Sequence, residues 1–253
     1  METDPFETQY SPELATRYFE QLERDGFCCV ENAISPTTLE TFRTEVNKLV
    51  AANGRRFLFL VNPYKEPGSA FQSLGMSHNF RKLLLELSNR ETKSDHSESD
   101  LLNYLRVVPG DKSRGQALNF HFDAEVITAL VPIFIPDGPP DKAGHLVALP
   151  NFSKIRKFVI FNLIEKSLLQ NKLAEKLISL FVLRNGGERH IFKLIPGNVY
   201  LFWGYRTLHA NLPLDPKESR STLLFHFGNP HKNSSLVQFI KSRHRQVDIQ
   251  GNH

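Results

Sequence analysis

Apolar positions in the N-terminal part of the chain recur at helical spacing. Leu14, Tyr18, Phe19 and Leu22 follow Ser11-Pro12, a helix start with Ser as the cap and Pro in the first turn, and Asp25-Gly26 supplies a stop. Phe27–Val30 reads as a short buried strand. Ser35-Pro36 repeats the start signal ahead of Leu39, Phe42, Val46 and Leu49, a second amphipathic helix ending near Asn53-Gly54. Phe57–Val61 is a strand candidate, residues 62–79 are turn-rich, and Phe80–Leu87 is a short helix candidate. Ser88–Asp100 is wholly polar and reads as a flexible surface loop, with His96 in it as a solvated histidine.

Beyond residue 100 the period changes to that of strands. Leu101–Val108 alternates, with Tyr104 and Arg106 on one face and Asn103 and Leu105 on the other. Asn119–Ile135 carries a long β-branched run broken by Pro132, and Leu146–Leu149 is a short strand stopped by Pro150-Asn151. Ile191–Ile195, Val199–Trp203 and Arg220–Phe227 read as strands, and residues 206–213 as a loop holding His209. From about residue 155 to 181 the pattern turns helical again. There seven basic residues against two acidic ones leave an excess of +5 over residues 151–185. The plain reading is a helical insertion with a solvated basic face; a lid over the site, or a surface touching a membrane or partner, are the sharper readings. The tail from about His231 is peripheral. Helices followed by many short strands predict an α+β, mainly β chain, a single domain over residues 1–253.

Composition narrows the class. At 253 residues, 40% hydrophobic and with 20 Phe, the chain can bury a large core. A net charge of +4 is too small to argue for nucleic acid. The two cysteines, Cys28 and Cys29, are neighbours and offer no disulfide framework, which suits a reducing compartment. The start Met1-Glu2-Thr3-Asp4-Pro5 lacks the features of a signal peptide, and no apolar run approaches the ~18–20 residues of a membrane span. The expectation is a cytoplasmic protein. Oligomeric state has no signature in the sequence.

The candidate chemistry centres on Asn119-Phe120-His121-Phe122-Asp123. If this stretch is extended, His121 and Asp123 point the same way and put two metal-ligand types on one face. His209, on a short connection after the Val199–Trp203 strand, is the best third ligand. Two His and one carboxylate form a facial triad that suits Fe(II), leaving coordination positions open for a co-substrate and oxygen. Arg220 follows His209 by eleven residues and opens a strand; a guanidinium grips a carboxylate bidentately. Thr222 shares its face and can add a hydroxyl. Tyr104 and Arg106 face the same pocket by parity, Tyr104 toward the co-substrate and Arg106 toward a substrate anion, or else serve as core and rim. His145 and His226 come near the site only if the strand register brings them there.

This order of motifs resembles the Fe(II)/2-oxoglutarate-dependent dioxygenases, specifically the phytanoyl-CoA dioxygenase-like family. Arg24-Asp25-Gly26-Phe27 followed by Ile34-Ser35-Pro36 is similar to the opening of that branch. The segment Gly144–Asn151 (GHLVALPN) is similar to its stretch after the metal strand, and Pro196–Phe202 (PGNVYLF) to its strand before the second His. The resemblance implies a double-stranded β-helix, the cupin-like jelly roll, with Fe(II) on His121, Asp123 and His209. It implies 2-oxoglutarate held by Arg220, and a reaction with O2 that releases succinate and CO2 while a bound small molecule is hydroxylated or otherwise oxidised. The chain departs from the pattern in three places, one being that the 155–181 insertion is longer and more helical than the family's. Leu149-Pro150-Asn151-Phe152-Ser153 lacks the family's His, and Asn211 stands where a Ser is common. Asp123 argues against a halogenase. Two alternatives remain open: a jelly-roll binding protein acting through residues 155–181, and a 2-oxoglutarate-dependent protein hydroxylase.

Overall fold

A computed structural model describes residues 4–113, 117–152 and 190–230. The order is α1 (Pro12–Asp25), β1 (Phe27–Val30), α2 (Pro36–Asn53), β2 (Leu58–Val61), α3 (Gln72–Met76), α4 (His78–Thr92), β3 (Leu102–Pro109), α5 (Gly110–Ser113), β4 (Ile127–Phe134), β5 (Leu146–Leu149), β6 (Ile191–Phe192), β7 (Val199–Trp203), β8 (Leu208–Asn211) and β9 (Ser219–Phe227). The first two helices start as their caps dictate. Ser11 Oγ accepts from the Leu14 amide at 3.1 Å and Ser35 Oγ from the Thr38 amide at 3.1 Å. Gly26 ends α1 in the left-handed region at φ 68°, and a Cβ there would stand 2.5 Å from Pro150 Cβ, so both conformation and space demand glycine.

Two antiparallel sheets make the body. One runs β1-β7-β4-β9-β3-β2 and the other β6-β5-β8. Strand alternation divides the larger sheet into two faces. Leu105, Val107, Ala129, Val131, Leu201, Trp203, Leu223 and Phe225 pack under α1, α2 and α4 in the main core. Each fully buried Leu or Phe there contributes about 1.5–3 kcal/mol. The opposite face brings Phe27, Leu130, Tyr200 and Phe202 against Leu146 and Ala148 of the smaller sheet. Between the sheets lies the space into which Tyr104, Arg106, Thr222, Leu224 and His226 project. This is a mainly β, α+β jelly roll of the cupin kind with N-terminal helices, as the sequence predicts. Among the described residues, no helix is long and apolar enough to cross a membrane.

Several local expectations are corrected. The helix expected over Phe80–Leu87 extends to His78–Thr92, so the polar stretch from Ser88 is not a loose loop. His96 is fully buried: its Nε2 lies 2.7 Å from Thr92 Oγ1, and its amide donates to Asn89 Oδ1 at 2.8 Å. Polar side chains that satisfy one another can be buried without any hydrophobic signal. The loop expected over 206–213 contains β8, which joins the smaller sheet. Pro132 does not break β4; the strand continues through a register shift between Pro132 and Phe134. The Ile191–Ile195 strand shortens to Ile191–Phe192. The expected 155–181 helical insertion and the tail beyond residue 230 lie outside the described residues.

Candidate metal centre

His121 and Asp123 do not sit in a regular strand. They lie on the run-in to β4, and His121 is held by a single bridge to His209, each amide donating to the other's carbonyl at 3.0 Å. This bridge brings residues 88 positions apart in sequence to 4.4 Å between ring centroids. Asp123 is fixed by its own amide, which donates to Gly204 O at 3.0 Å. Gly204 must be small: a Cβ there would stand 2.9 Å from Glu125 O and from Thr128 Oγ1, and 3.0 Å from Asp123 Cβ.

The three side chains are oriented for a cation. His121 Nδ1 lies 2.9 Å from Asn119 O, and His209 Nδ1 lies 3.1 Å from Thr207 O. A carbonyl only accepts, so each Nδ1 carries the hydrogen and each Nε2 presents its lone pair. Asp123 Oδ1 stands 3.8 Å from His121 Nε2 and 3.7 Å from His209 Nε2, and all three atoms fall within 4.8 Å of one another. Two ligand atoms on one ion, each at about 2.1 Å, are at most about 4.2 Å apart, so Oδ1 can share an ion with either imidazole.

Charge favours the same conclusion. Burial alone would raise the Asp123 carboxyl, but His209, His226 and His121 beside it and the Thr128 hydroxyl outweigh burial and bring it down to about 2. Burial pushes His209 down to about 4 against the pull of Asp123. At neutral pH the site therefore holds a carboxylate and a neutral imidazole, the states that bind a cation.

A cavity of about 180 Å³ opens beside the three groups. Tyr104, Arg106, Thr222 and Asn211 supply its polar walls, and Phe59, Leu130, Leu146 and Leu224 its apolar ones. Tyr104, Arg106 and Thr222 thus gather around the triad. Arg220 is the next residue on the Thr222 face of β9 and is 3% exposed. Its Nη1 donates to Gly144 O at 2.6 Å, its Nε is buried without a partner, and no side-chain carboxylate of the described residues pairs with it. Burial, with Arg106 adding to it, lowers its pKa to about 9. Asn211 Nδ2 is a second buried donor without a partner. Buried donors left without a partner are costly, and an anion is one group that could satisfy them.

Sequence reasoning missed part of the centre. Thr128 carried no signal, and His226 was conditional on register. The pairing of Thr128 with His226 across β4 and β9 meets that condition. Thr128 Oγ1 donates to Asp123 Oδ2 at 2.5 Å and lies 3.0 Å from His226 Nδ1, which completes the support of the carboxylate. His145 is buried, and its Nδ1 accepts from the Leu194 amide at 3.2 Å; it packs between strands and is not among the cavity walls.

No family model matches the sequence, and no curated protein does. Solved structures match in fold. A prolyl hydroxylase from Trichoplax adhaerens, in complex with a hypoxia inducible factor oxygen degradation domain peptide fragment, is similar at TM-score 0.59 and 16% identity, covering 88% of this chain and 93% of that one. A Pseudomonas putida prolyl-4-hydroxylase is similar at TM-score 0.54 and 12% identity, covering 85% and 98%. The non-heme alpha ketoglutarate dependent epimerase SnoN from nogalamycin biosynthesis is similar at TM-score 0.54 and 14% identity, covering 86% and 84%. At these identities the likeness is one of fold.

Proposed function

We propose that this protein is an Fe(II)- and 2-oxoglutarate-dependent oxygenase. The observation that carries the reading is a His-Asp-His cluster on the wall of one cavity, with the buried Arg220, which has no carboxylate partner among the described residues, standing behind that wall two residues before the cavity-lining Thr222 on β9. His121, Asp123 and His209 would hold the iron. Arg220, with Thr222 and Tyr104, would hold 2-oxoglutarate, the distal carboxylate on Arg220. When bound, iron and co-substrate supply an oxidant from O2 with release of succinate and CO2. The protein's own residues orient and exclude. Asn119 O and Thr207 O keep both Nε2 atoms aimed inward, Thr128 holds the non-ligating oxygen of Asp123, and Leu130, Leu146 and Leu224 keep water from the walls.

The substrate reading is a small molecule, with Arg106, one of the cavity walls, facing an anionic group on it. The motif order around His121, Gly144–Asn151 and Pro196–Phe202 supports the phytanoyl-CoA dioxygenase-like branch. A second reading, a protein hydroxylase, is favoured by the likeness to prolyl hydroxylases, one of them solved with a peptide fragment. Succinate formation and O2 uptake with Fe(II) and 2-oxoglutarate test the proposal. Uncoupled turnover in the wild type, lost in His121→Ala and Arg220→Ala, supports it. A wild type that binds neither iron nor 2-oxoglutarate overturns it and leaves a binding domain of the same fold.

A further inference from the structure

The turn between β7 and β8 is fastened from outside the cavity by a charged cluster that metal chemistry does not use. Arg206 Nη1 donates to Glu23 Oε1 on α1 at 2.9 Å and to Glu91 Oε1 on α4 at 2.7 Å. Trp203 Nε1 donates to the same Glu23 oxygen at 3.0 Å, and the Tyr205 hydroxyl donates to the same Glu91 oxygen. The Arg206 side chain is 13% exposed and that of Glu91 only 3%. Burying charges is costly, so a cluster like this is weak evidence for stability and better evidence for holding one conformation.

What it holds is the turn that serves the metal centre. Gly204 O accepts the Asp123 amide at 3.0 Å, and Thr207 O lies 3.1 Å from His209 Nδ1. Arg206 lies between these two carbonyls in sequence and is tied at both sides, its amide to Trp203 O at 3.2 Å and its guanidinium to both helices. The third ligand, His121, takes its orientation from Asn119 O, outside the turn.

We propose that Arg206 is a positioning residue for the metal centre: through the 204–207 turn it sets the aim of Asp123 and His209 from helices α1 and α4. The inference rests on the reading of His121, Asp123 and His209 as metal ligands. Carbonyl partners of ligating histidines govern tautomer and direction, and losing such support costs about 10- to 100-fold in metal affinity. The cluster thereby makes the ligand geometry depend on the docking of two helices outside the cavity.

Co(II) titration of the full chain, read by its d–d absorption, tests this. Arg206→Met should weaken Co(II) binding by about 10- to 100-fold and alter the band shape, while Arg206→Lys recovers part of both. Glu23→Gln, at the half-exposed end, should weaken binding by a smaller factor and serves if Arg206→Met does not fold. Val46→Ala on α2, a buried site away from the turn, is the control for stability alone and should leave affinity and spectrum unchanged. Wild-type affinity and band shape in both Arg206→Met and Glu23→Gln overturn the proposal, as does an equal loss in Val46→Ala. A wild type that takes up no Co(II) overturns the ligand assignment as well, which separates that failure from this one.

Discussion

Thr128 and Asp123 are joined by a 2.5 Å hydrogen bond in which the hydroxyl donates to Oδ2, leaving Oδ1 to face the two imidazoles. Because the Thr128 hydrogen is committed, the His226 Nδ1 that lies 3.0 Å away donates to Thr128 Oγ1. One carboxylate oxygen thus faces the two imidazoles and the other is held by the protein.

Thr128→Val keeps the shape and removes the hydroxyl. It should leave Asp123 Oδ2 and His226 Nδ1 without their partner, at a cost of about 1–3 kcal/mol in stability. Metal affinity should fall by about 10-fold or more as the carboxylate loses its fixed orientation. Urea unfolding and Co(II) titration check the two effects separately. Thr128→Ser should recover both.

Metal binding should stabilise the fold, because the three donors meet only when His121 and His209 are bridged. At a free metal concentration of 100 times Kd the gain is about 2.7 kcal/mol. Thermal unfolding with and without Fe(II) under anaerobic conditions, or with Mn(II), measures it. A chelator should reverse the shift, and His209→Ala should abolish it.

Arg220 gives a prediction with a defined sign. Its folded pKa, about 9, lies below its ordinary value of 12.5, so the folded state disfavours the charged form. Between those values the unfolded chain binds more protons, and stability rises with pH; below about 9 both states are charged and the penalty is constant. At neutral pH the fold therefore carries a buried cation with no carboxylate partner among the described residues, which a carboxylate ligand would relieve. 2-Oxoglutarate should raise the melting temperature of the wild type, and the rise should vanish in Arg220→Met. Acetate at equal ionic strength should do less, having no second carboxylate.

The helix starts at Ser11-Pro12 and Ser35-Pro36 and the strands at Leu146–Leu149 and Val199–Trp203 were legible because each depends on neighbours in sequence. The grouping of His121, Asp123 and His209 was legible for another reason: few side chains bind metals, and two of them stand two residues apart. Thr128 and His226 were not legible in the same way. Their meeting depends on the register of β4 against β9, which pairs residues 98 apart. The stretch after Ser88 failed because side chains that bond to one another leave no periodic trace.

His96 puts that last point to the test. It is 0% exposed, with ring partners Thr92 and Ser99 and a backbone tie to Asn89. His96→Ala should cost about 1–3 kcal/mol through the partners it strands. Unfolding in urea measures the loss, and an unchanged midpoint would restore the solvated-loop reading. Co(II) affinity should stay at the wild-type value, since none of the three ligands leans on His96.

Gly204→Ala probes the closest approach in the centre. An added methyl would stand 2.9 Å from Glu125 O and from Thr128 Oγ1, and 3.0 Å from Asp123 Cβ. Glu125 O is backbone and cannot swing aside, so the turn or the Asp123 segment must move. The Gly204 carbonyl that accepts the Asp123 amide moves with it. Overpacking of this kind costs about 1–3 kcal/mol, and here the displaced atoms are the support of a ligand. The variant should therefore lose metal affinity beyond what its loss of stability accounts for. Comparing its Co(II) affinity with that of His96→Ala, at a matched fall in melting temperature, isolates the geometric part.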